Sequence, residues 1–395
     1  MSCLTEDDRI PPEPPTYWVH GTWLTAPITA QRLPLYGCRV SGWREAIPVE
    51  VSAVLKPRRE TDPLTDPKPF HDALVAWFRK NGRDYPWRRT RDPYAVLVSE
   101  VMLQQTQIAT VLGKGYYTRF LEAFPDAATL AAADDDSLLK AWEGLGYYRR
   151  ARMLRDTSRA LVEKHGGRFP KDVAGLLELP GVGRYTAGAL RAFAFGKPAV
   201  LVDGNVSRVL SRLTDFKEPV DDSAGIRRIW ELAGILADDR HPREYHSALM
   251  ELGQTFCRTG APDCLNCPVA RFCATRRPES LPVKQRKSSL TDITEHALWL
   301  RDGEGRLLLH QETGKRRTGL WKLPLRDAAE ISTRPLIAEH RYGITRYRVM
   351  LRVHQGDDSH FTLGEGDSWI EPMAIPGLAM AAPFRKVIER LIEDF

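Results

Sequence analysis

Four cysteines within seventeen residues constrain this chain more than any other feature. They read Cys257-x6-Cys264-x2-Cys267-x5-Cys273, while the other two, Cys3 and Cys38, stand apart near the start. A cysteine cluster in an intracellular chain points to metal rather than to disulfides. Four thiolates in one short loop can hold a tetrahedral zinc ion or a cubane iron–sulfur cluster, and the cysteine count alone leaves the two even. The spacing favours the cluster, because zinc modules usually pair two close knuckles and here only Cys264 and Cys267 are that close. Either group needs a folded frame around the loop.

The sequence on either side predicts that frame. Phe70, Leu74, Trp77 and Phe78 fall on one face of a helix, and Asp92-Pro93 is a helix start with proline at the first turn. Amphipathic segments broken by Gly and Pro continue to Cys273 with no alternating strand pattern, so residues 67–280 read as an all-α domain. Beyond a basic, Ser-containing linker at 281–290 the period changes. His296–Leu300 and Arg306–Gln311 flank Asp302-Gly303 as an expected hairpin, Tyr347–His354 reads as a strand, and Pro383–Asp394 as a closing helix. Residues 291–395 are therefore expected to form a small α+β domain. Residues 1–66 carry a Pro-rich lead, a segment from Tyr17 to Lys56 with Trp18, Trp23 and Trp43 that suits a few short strands, and a Pro-rich linker over Thr61–Pro69. Their role is not readable.

Charge suggests a partner. The chain carries +6 overall, and residues 67–280 hold most of the excess with 32 basic against 26 acidic side chains. A basic excess suits a polyanion but is weak evidence by itself. The start of the chain lacks the basic and apolar pattern of a secretory signal, and no apolar run approaches a membrane span, so a soluble cytoplasmic monomer is expected.

Three further segments carry chemistry. Leu179-Pro180-Gly181-Val182-Gly183-Arg184-Tyr185 joins two helical segments by a Gly-rich turn whose N–H groups can approach a phosphate, although such a turn is also an ordinary corner. Asp203, in Val202-Asp203-Gly204-Asn205, opens a helix. A plain N-cap is the common reason for Asp there, yet a helix N-terminus also keeps a carboxylate ionised. Glu100 sits between Val96-Leu97-Val98 and Val101-Met102-Leu103, and burial there raises a carboxyl pKa. A proton-bearing Glu and an ionised Asp form the acid-and-stabiliser pair used against glycosidic bonds.

Together with Pro86-Trp87-Arg88, Ser99-Glu100-Val101-Met102-Leu103-Gln104-Gln105-Thr106 and Gly144-Leu145-Gly146-Tyr147-Tyr148, these motifs resemble the helix-hairpin-helix DNA glycosylases that carry an iron–sulfur cluster. Within them the match is to the adenine DNA glycosylases, which remove adenine opposite 8-oxoguanine. The resemblance covers roughly Phe70 to Cys273 and weakens from Thr291 onward. It implies one [4Fe-4S] cluster on Cys257, Cys264, Cys267 and Cys273, and double-stranded DNA with a mispaired adenine as partner. It implies Glu100 as general acid at adenine N7 and Asp203 as stabiliser of the sugar cation, with Tyr185 and Asn205 as orienting groups. Arg88 and Glu251 match adenine-pocket positions, Gln105 and Tyr147 match wedges into the duplex, and Gly181 and Gly183 form the backbone-gripping hairpin. The bifunctional endonuclease III branch places a lysine where Tyr185 stands, and tyrosine cannot form a Schiff base, so a monofunctional enzyme is implied.

The C-terminal segment resembles the family's Nudix-like, lesion-sensing domain at Gly319-Leu320-Trp321 and Leu323-Pro324, without the acidic helix of Nudix hydrolases. Ile344-Thr345-Arg346 stands where the family has a Phe-Ser-His triplet. Thr345 keeps a hydroxyl for the lesion base, and Arg346 is either a phosphate or base contact or a solvated strand residue. Two other readings compete: a related glycosylase for another mispaired base, and a non-catalytic DNA-binding protein on the same fold. Glu100 argues against the first and the retention of both acids against the second.

Overall fold

Asp92 sets the first wall of the molecule. Its carboxylate accepts from the N–H groups of Tyr94 and Ala95, with Pro93 at the first turn, and so starts a helix whose residues from Tyr94 to Met102 are all buried. A helix apolar on every side belongs inside a core. In the computed structural model, which describes residues 61–285, 290–314, 317–357 and 363–394 and the backbone of 16–19 and 22–25, the chain forms two compact units, Met1–Val51 and Ser52–Phe395.

In the first unit, β1 (Thr16–Val19) and β2 (Thr22–Thr25) pair antiparallel with Trp18 opposite Trp23. Trp43, Cys3 and Cys38 lie outside the described residues, as do 286–289 of the expected second linker.

The second unit opens with α1 (Lys68–Asn81), so the expected linker over Thr61–Pro69 ends early: Lys68 and Pro69 are already helical. Proline is tolerated in a helix's first turn, where N–H groups lack partners in any case. Then come α2 (Pro93–Met102), α3 (Arg149–His165), α4 (Arg184–Ala189), α5 (Gly204–Thr214) and α6 (Pro242–Thr255), with other helices between them. No strand interrupts the described residues between 61 and 285, as the all-α reading expects. The helices build two cores. One gathers Val98, Phe120, Leu138, Trp142, Leu154 and Leu190. The other gathers Phe70, Leu74, Val206, Leu210, Tyr245 and Phe272, and Cys257 and Cys267 pack against it. A cleft lies between these two lobes.

The C-terminal part contains β3 (Thr291–Trp299), β4 (Leu307–Gln311), β5 (Trp321–Lys322), β6 (Leu325–Arg326), β7 (Leu336–Ile344), β8 (Tyr347–Gln355), β9 (Asp367–Ile370) and α7 (Ala382–Asp394). One sheet runs β6-β3-β8-β7 and the other β5-β4-β9. The expected β3–β4 hairpin is corrected here. Asp302 makes the turn, accepting from the N–H groups of Glu304 and Arg306, but the pairing across it is short: the Arg301–Leu307 bridge and the backbone bonds from Asp302 N–H to the Arg306 carbonyl and from Leu308 N–H to the Leu300 carbonyl. β3 instead pairs parallel with β8 along its whole length, Thr291 to Tyr347 through Trp299 to Gln355, and its other edge takes β6. Both edges of β3 are occupied, so β4 leaves to build the second sheet.

This sheet domain shares the first helical core through Trp299, Leu351, Phe384 and Ile388. The Tyr148 hydroxyl donates to the Met380 carbonyl at 2.8 Å, and Arg385 Nε donates to Glu143 Oε1 at 2.7 Å. Among the described residues no helix is long and apolar enough to cross a membrane.

Candidate active site

The cleft between the two lobes has a volume of about 1170 Å3, and Glu100, Tyr185, Asp203, Asn205, Arg88 and Gln105 all line it. Sequence separations of a hundred residues are thus closed by the fold, with α2 and α4 supplying one wall and α5 and α6 the other.

Glu100 is only 8% exposed, on the cleft side of the otherwise apolar α2. Burial raises its carboxyl to about 7. The Tyr185 hydroxyl, donating to Oε2 at 2.7 Å, pulls the other way, and the charge of Asp203 adds to the rise. The carboxyl therefore holds a proton for much of the time near neutrality.

Asp203 caps α5. Its Oδ1 accepts from the Val206 N–H at 2.6 Å and its Oδ2 from Asn205 Nδ2 at 2.9 Å. The plain N-cap and the functional placement are thus the same geometry. The helix N-terminus is expected to keep this carboxyl ionised, and the bonds from Val206 and Asn205 act that way, while burial is the larger influence and raises its pKa above the ordinary value. Gly253 explains how α6 comes so close, since a Cβ there would stand 2.7 Å from the Asn205 Cβ.

Arg88 forms the far end of the cleft. It lies over the rings of Phe78 and Tyr85, 5.0 and 4.7 Å from their centroids. Glu251, 1% exposed, sits behind it, taking Arg88 Nη1 on Oε2 at 2.5 Å and the Arg83 N–H on Oε1 at 2.9 Å. Of the two expected pocket residues, Arg88 faces the cavity and Glu251 fixes Arg88.

Gln105 and Tyr147 occupy separate turns and share the left-handed backbone, at φ 58° and 47°. Tyr147 is 48% exposed. Gly181 takes φ 77° in the hairpin before α4, where a Cβ would also strike Met153 Cγ at 2.1 Å; Gly183 is the N-cap of α4. Thr345 lies elsewhere, at the tip of the β7–β8 hairpin where Ile344 pairs with Tyr347. Its φ is 52°, its hydroxyl donates to the Ile344 carbonyl at 2.7 Å, and Arg346 folds onto Tyr347 with Nη2 3.0 Å from the phenol oxygen.

The four clustered cysteines line one small cavity with Arg212, and no disulfide joins them. Burial, followed by the neighbouring cysteines, pushes the Cys267 thiol up to about 12, against the Val269 N–H. No three described His, Cys, Asp or Glu groups converge closely enough to hold a single metal ion.

Sequence reasoning missed the arginines that hold these parts. Arg208 donates to Asn205 Oδ1 at 2.8 Å, to the Gly253 carbonyl at 2.7 Å and to the Cys257 carbonyl at 2.8 Å. Arg212, one turn on, reaches Cys257 Sγ at 3.3 Å and the Arg258 carbonyl at 2.9 Å. Their i, i+4 spacing on α5 was the available signal, but that pattern usually marks a solvated helix face.

One cleft thus brings together a buried acid and a capped carboxylate, with the Gly-rich hairpin leading into α4 and Tyr185. The family profile described as "HhH-GPD superfamily base excision DNA repair protein" matches residues 98–252. Human adenine DNA glycosylase is 41% identical over 240 residues, covering 58% of this chain and 44% of the human protein. Adenine DNA glycosylase of Buchnera aphidicola subsp. Baizongia pistaciae is 31% identical over 257 residues, covering 64% of this chain and 71% of that protein. A solved thermostable thymine-DNA glycosylase superposes with a TM-score of 0.49 at 29% identity, over 54% of this chain and 98% of that one. The chain belongs to the adenine DNA glycosylases of the helix-hairpin-helix superfamily, and its match spans less than half of the human relative's length.

Proposed function

We propose that this chain is a monofunctional DNA glycosylase that hydrolyses the N-glycosidic bond of adenine mispaired with 8-oxoguanine or guanine in duplex DNA. The observation that carries the reading is Glu100, a carboxyl held near pKa 7 in the same cleft as Asp203 and bonded to Tyr185.

Adenine is a poor leaving group until its ring is protonated. Protonated Glu100 gives its proton to N7 of the extruded base, and the C1′–N9 electron pair leaves with adenine. The resulting sugar cation is stabilised by the Asp203 carboxylate. Water adds to C1′ and its proton passes to ionised Glu100, which restores the acid. Tyr185 offers no amine for Schiff-base formation, which supports hydrolysis without strand cleavage. Arg88, positioned by Glu251, frames the base.

Residues 67–280 serve as the catalytic domain. Residues 291–395 serve as a Nudix-like module that brings Thr345 to the base opposite the adenine. Cys257, Cys264, Cys267 and Cys273 would hold a [4Fe-4S] cluster. The four thiols lining one shared cavity, with no disulfide among them, suit such a group. When bound, it supplies a structural pin for the loop that Arg208 and Arg212 tie to α5.

Single-turnover assays on duplexes with adenine opposite 8-oxoguanine, adenine opposite guanine and thymine opposite guanine test the proposal. Adenine release without strand breaks is expected. Release of thymine alone would overturn the substrate assignment, and equal adenine rates opposite both purines would remove the role given to Thr345.

A further inference from the structure

Arg150 is 7% exposed and sits in the first turn of α3, next to the residues that carry Tyr147 and Tyr148. Its guanidinium donates to five backbone carbonyls and one hydroxyl, none of them a carboxylate. Nη1 donates to the carbonyls of Val101 and Met102, both at 2.9 Å, and to that of Gln104. Nη2 donates to Thr106 Oγ1 at 3.2 Å and to the carbonyls of Leu145 and Gly146 at 3.0 and 3.2 Å. The guanidinium also lies over the rings of Trp142 and Tyr147, 5.4 and 5.6 Å from their centroids. Burial lowers its pKa to about 10, which leaves it charged at neutrality.

One planar group therefore reaches two turns that are about forty residues apart in the chain. The first is the C-terminal end of α2 running into Gln104-Gln105-Thr106, and the second is Leu145-Gly146-Tyr147. Each contains one non-glycine residue at positive φ, Gln105 and Tyr147. Such backbone is strained for any residue but glycine and persists only where surroundings hold it. The α2 end also presents unpaired carbonyls and the negative end of the helix dipole, which favour a cation. The fork serves both sides through its two terminal nitrogens, which a lysine point charge cannot do.

We infer that Arg150 is a positioning residue that locks the turns bearing Gln105 and Tyr147 at a fixed separation, so that the two side chains enter the duplex as one wedge and drive extrusion of the target base. The inference rests on the proposed action on a base in duplex DNA. Arg150 touches neither substrate nor the reacting atoms.

Arg150→Lys keeps the charge and removes the fork. With 2-aminopurine at the adenine position, its fluorescence rise on binding reports unstacking, and single-turnover excision of adenine reports the whole reaction. The variant is expected to lose the fluorescence rise and about 10²-fold in excision, a loss typical of ångström-scale misplacement. The pH dependence set by Glu100 should not move. In a Gln105→Ala/Tyr147→Ala background, Arg150→Lys should cost less than about threefold more, because residues acting through one unit are not additive. A full fluorescence rise, or the same loss in both backgrounds, overturns the inference. Should Arg150→Lys fail to fold, Thr106→Val cuts one arm of the clamp and leaves the buried cation in place. It should lower the fluorescence rise and excision by about threefold, and an unchanged rise overturns the inference. The fluorescence measurement needs only binding, so absence of adenine excision by the parent protein would defeat the proposed function without deciding the wedge.

Discussion

The two walls of the cleft hold the same functional group and treat it differently. On one wall Glu100 emerges from a helix buried on all sides and receives a single side-chain hydrogen bond, from Tyr185. On the other, Asp203 stands at a helix N-terminus with bonds from Val206, from Asn205 and the Coulombic pull of Arg208. Burial raises both carboxyls. Only Asp203 has a set of donors to oppose the rise, so its wall supports an anion better than the wall of Glu100 does. Two carboxylates with one intrinsic chemistry become proton donor and cation stabiliser through their surroundings.

Neutralising either wall should break the pair. Glu100→Gln and Asp203→Asn are each expected to slow single-turnover adenine excision by about 10³-fold, within the range that general acid and electrostatic groups contribute. DNA affinity should stay near that of the parent. The two losses should not add in the double variant, because either alone disables the pair. Additive losses would mean that the walls act separately.

The pH profile sharpens the contrast at lower cost in rate. Excision needs protonated Glu100, so it should fall as pH rises through about 7. Tyr185→Phe removes the hydrogen bond that favours ionised Glu100, so the alkaline limb should move to higher pH, with about a tenfold loss of rate from the missing positioning contact. A limb that stays in place would separate Tyr185 from the titration of Glu100.

Much of this contrast was legible in the sequence. An acid in the run Val96 to Leu103 and an aspartate ahead of Gly204-Asn205 carry their environments in their neighbours. What one-dimensional reading could not supply was competition between environments. At Asp203 burial and capping oppose each other, and burial depends on how α6 packs at Gly253. The same limit applied to β3, whose turn at Asp302 was readable while its parallel partner β8, over forty residues away, was not. Arg150 and Arg208 were hidden because an arginine in an amphipathic helix carries no mark of the backbone carbonyls it will meet. Nor does the sequence show that Gln105, Tyr147 and Thr345 adopt left-handed backbone.

Stability should also separate the walls. The folded-state pKa of Glu100 lies above its ordinary 4.5, so the native protein binds a proton that the unfolded chain releases between about 4.5 and 7. Stability is lost as pH rises through that window and stays lost above it. Glu100→Gln removes the penalty. It should be more stable than the parent by about 3 kcal/mol at pH 8 and nearly equal at pH 4, as read by urea denaturation. Greater stabilisation at pH 4 than at pH 8 would contradict the burial argument.

The matching change on the other wall should gain less. Asp203 is also raised, so Asp203→Asn relieves a buried charge with the same sign of pH dependence. The amide keeps an oxygen for the Val206 N–H, so the cap survives. Its new NH2, however, faces Asn205 Nδ2, a donor against a donor. Turning the Asn205 amide would cure that clash only by presenting NH2 to Arg208 Nη2, which now donates to Asn205 Oδ1 at 2.8 Å. One hydrogen bond is lost either way, about 1 kcal/mol, and this works against the relief. The stability gain of Asp203→Asn at pH 8 should therefore be smaller than that of Glu100→Gln. A gain equal to that of Glu100→Gln would show that the hydrogen bonds around Asp203 do not support its anion, and the division of labour between the walls would fail.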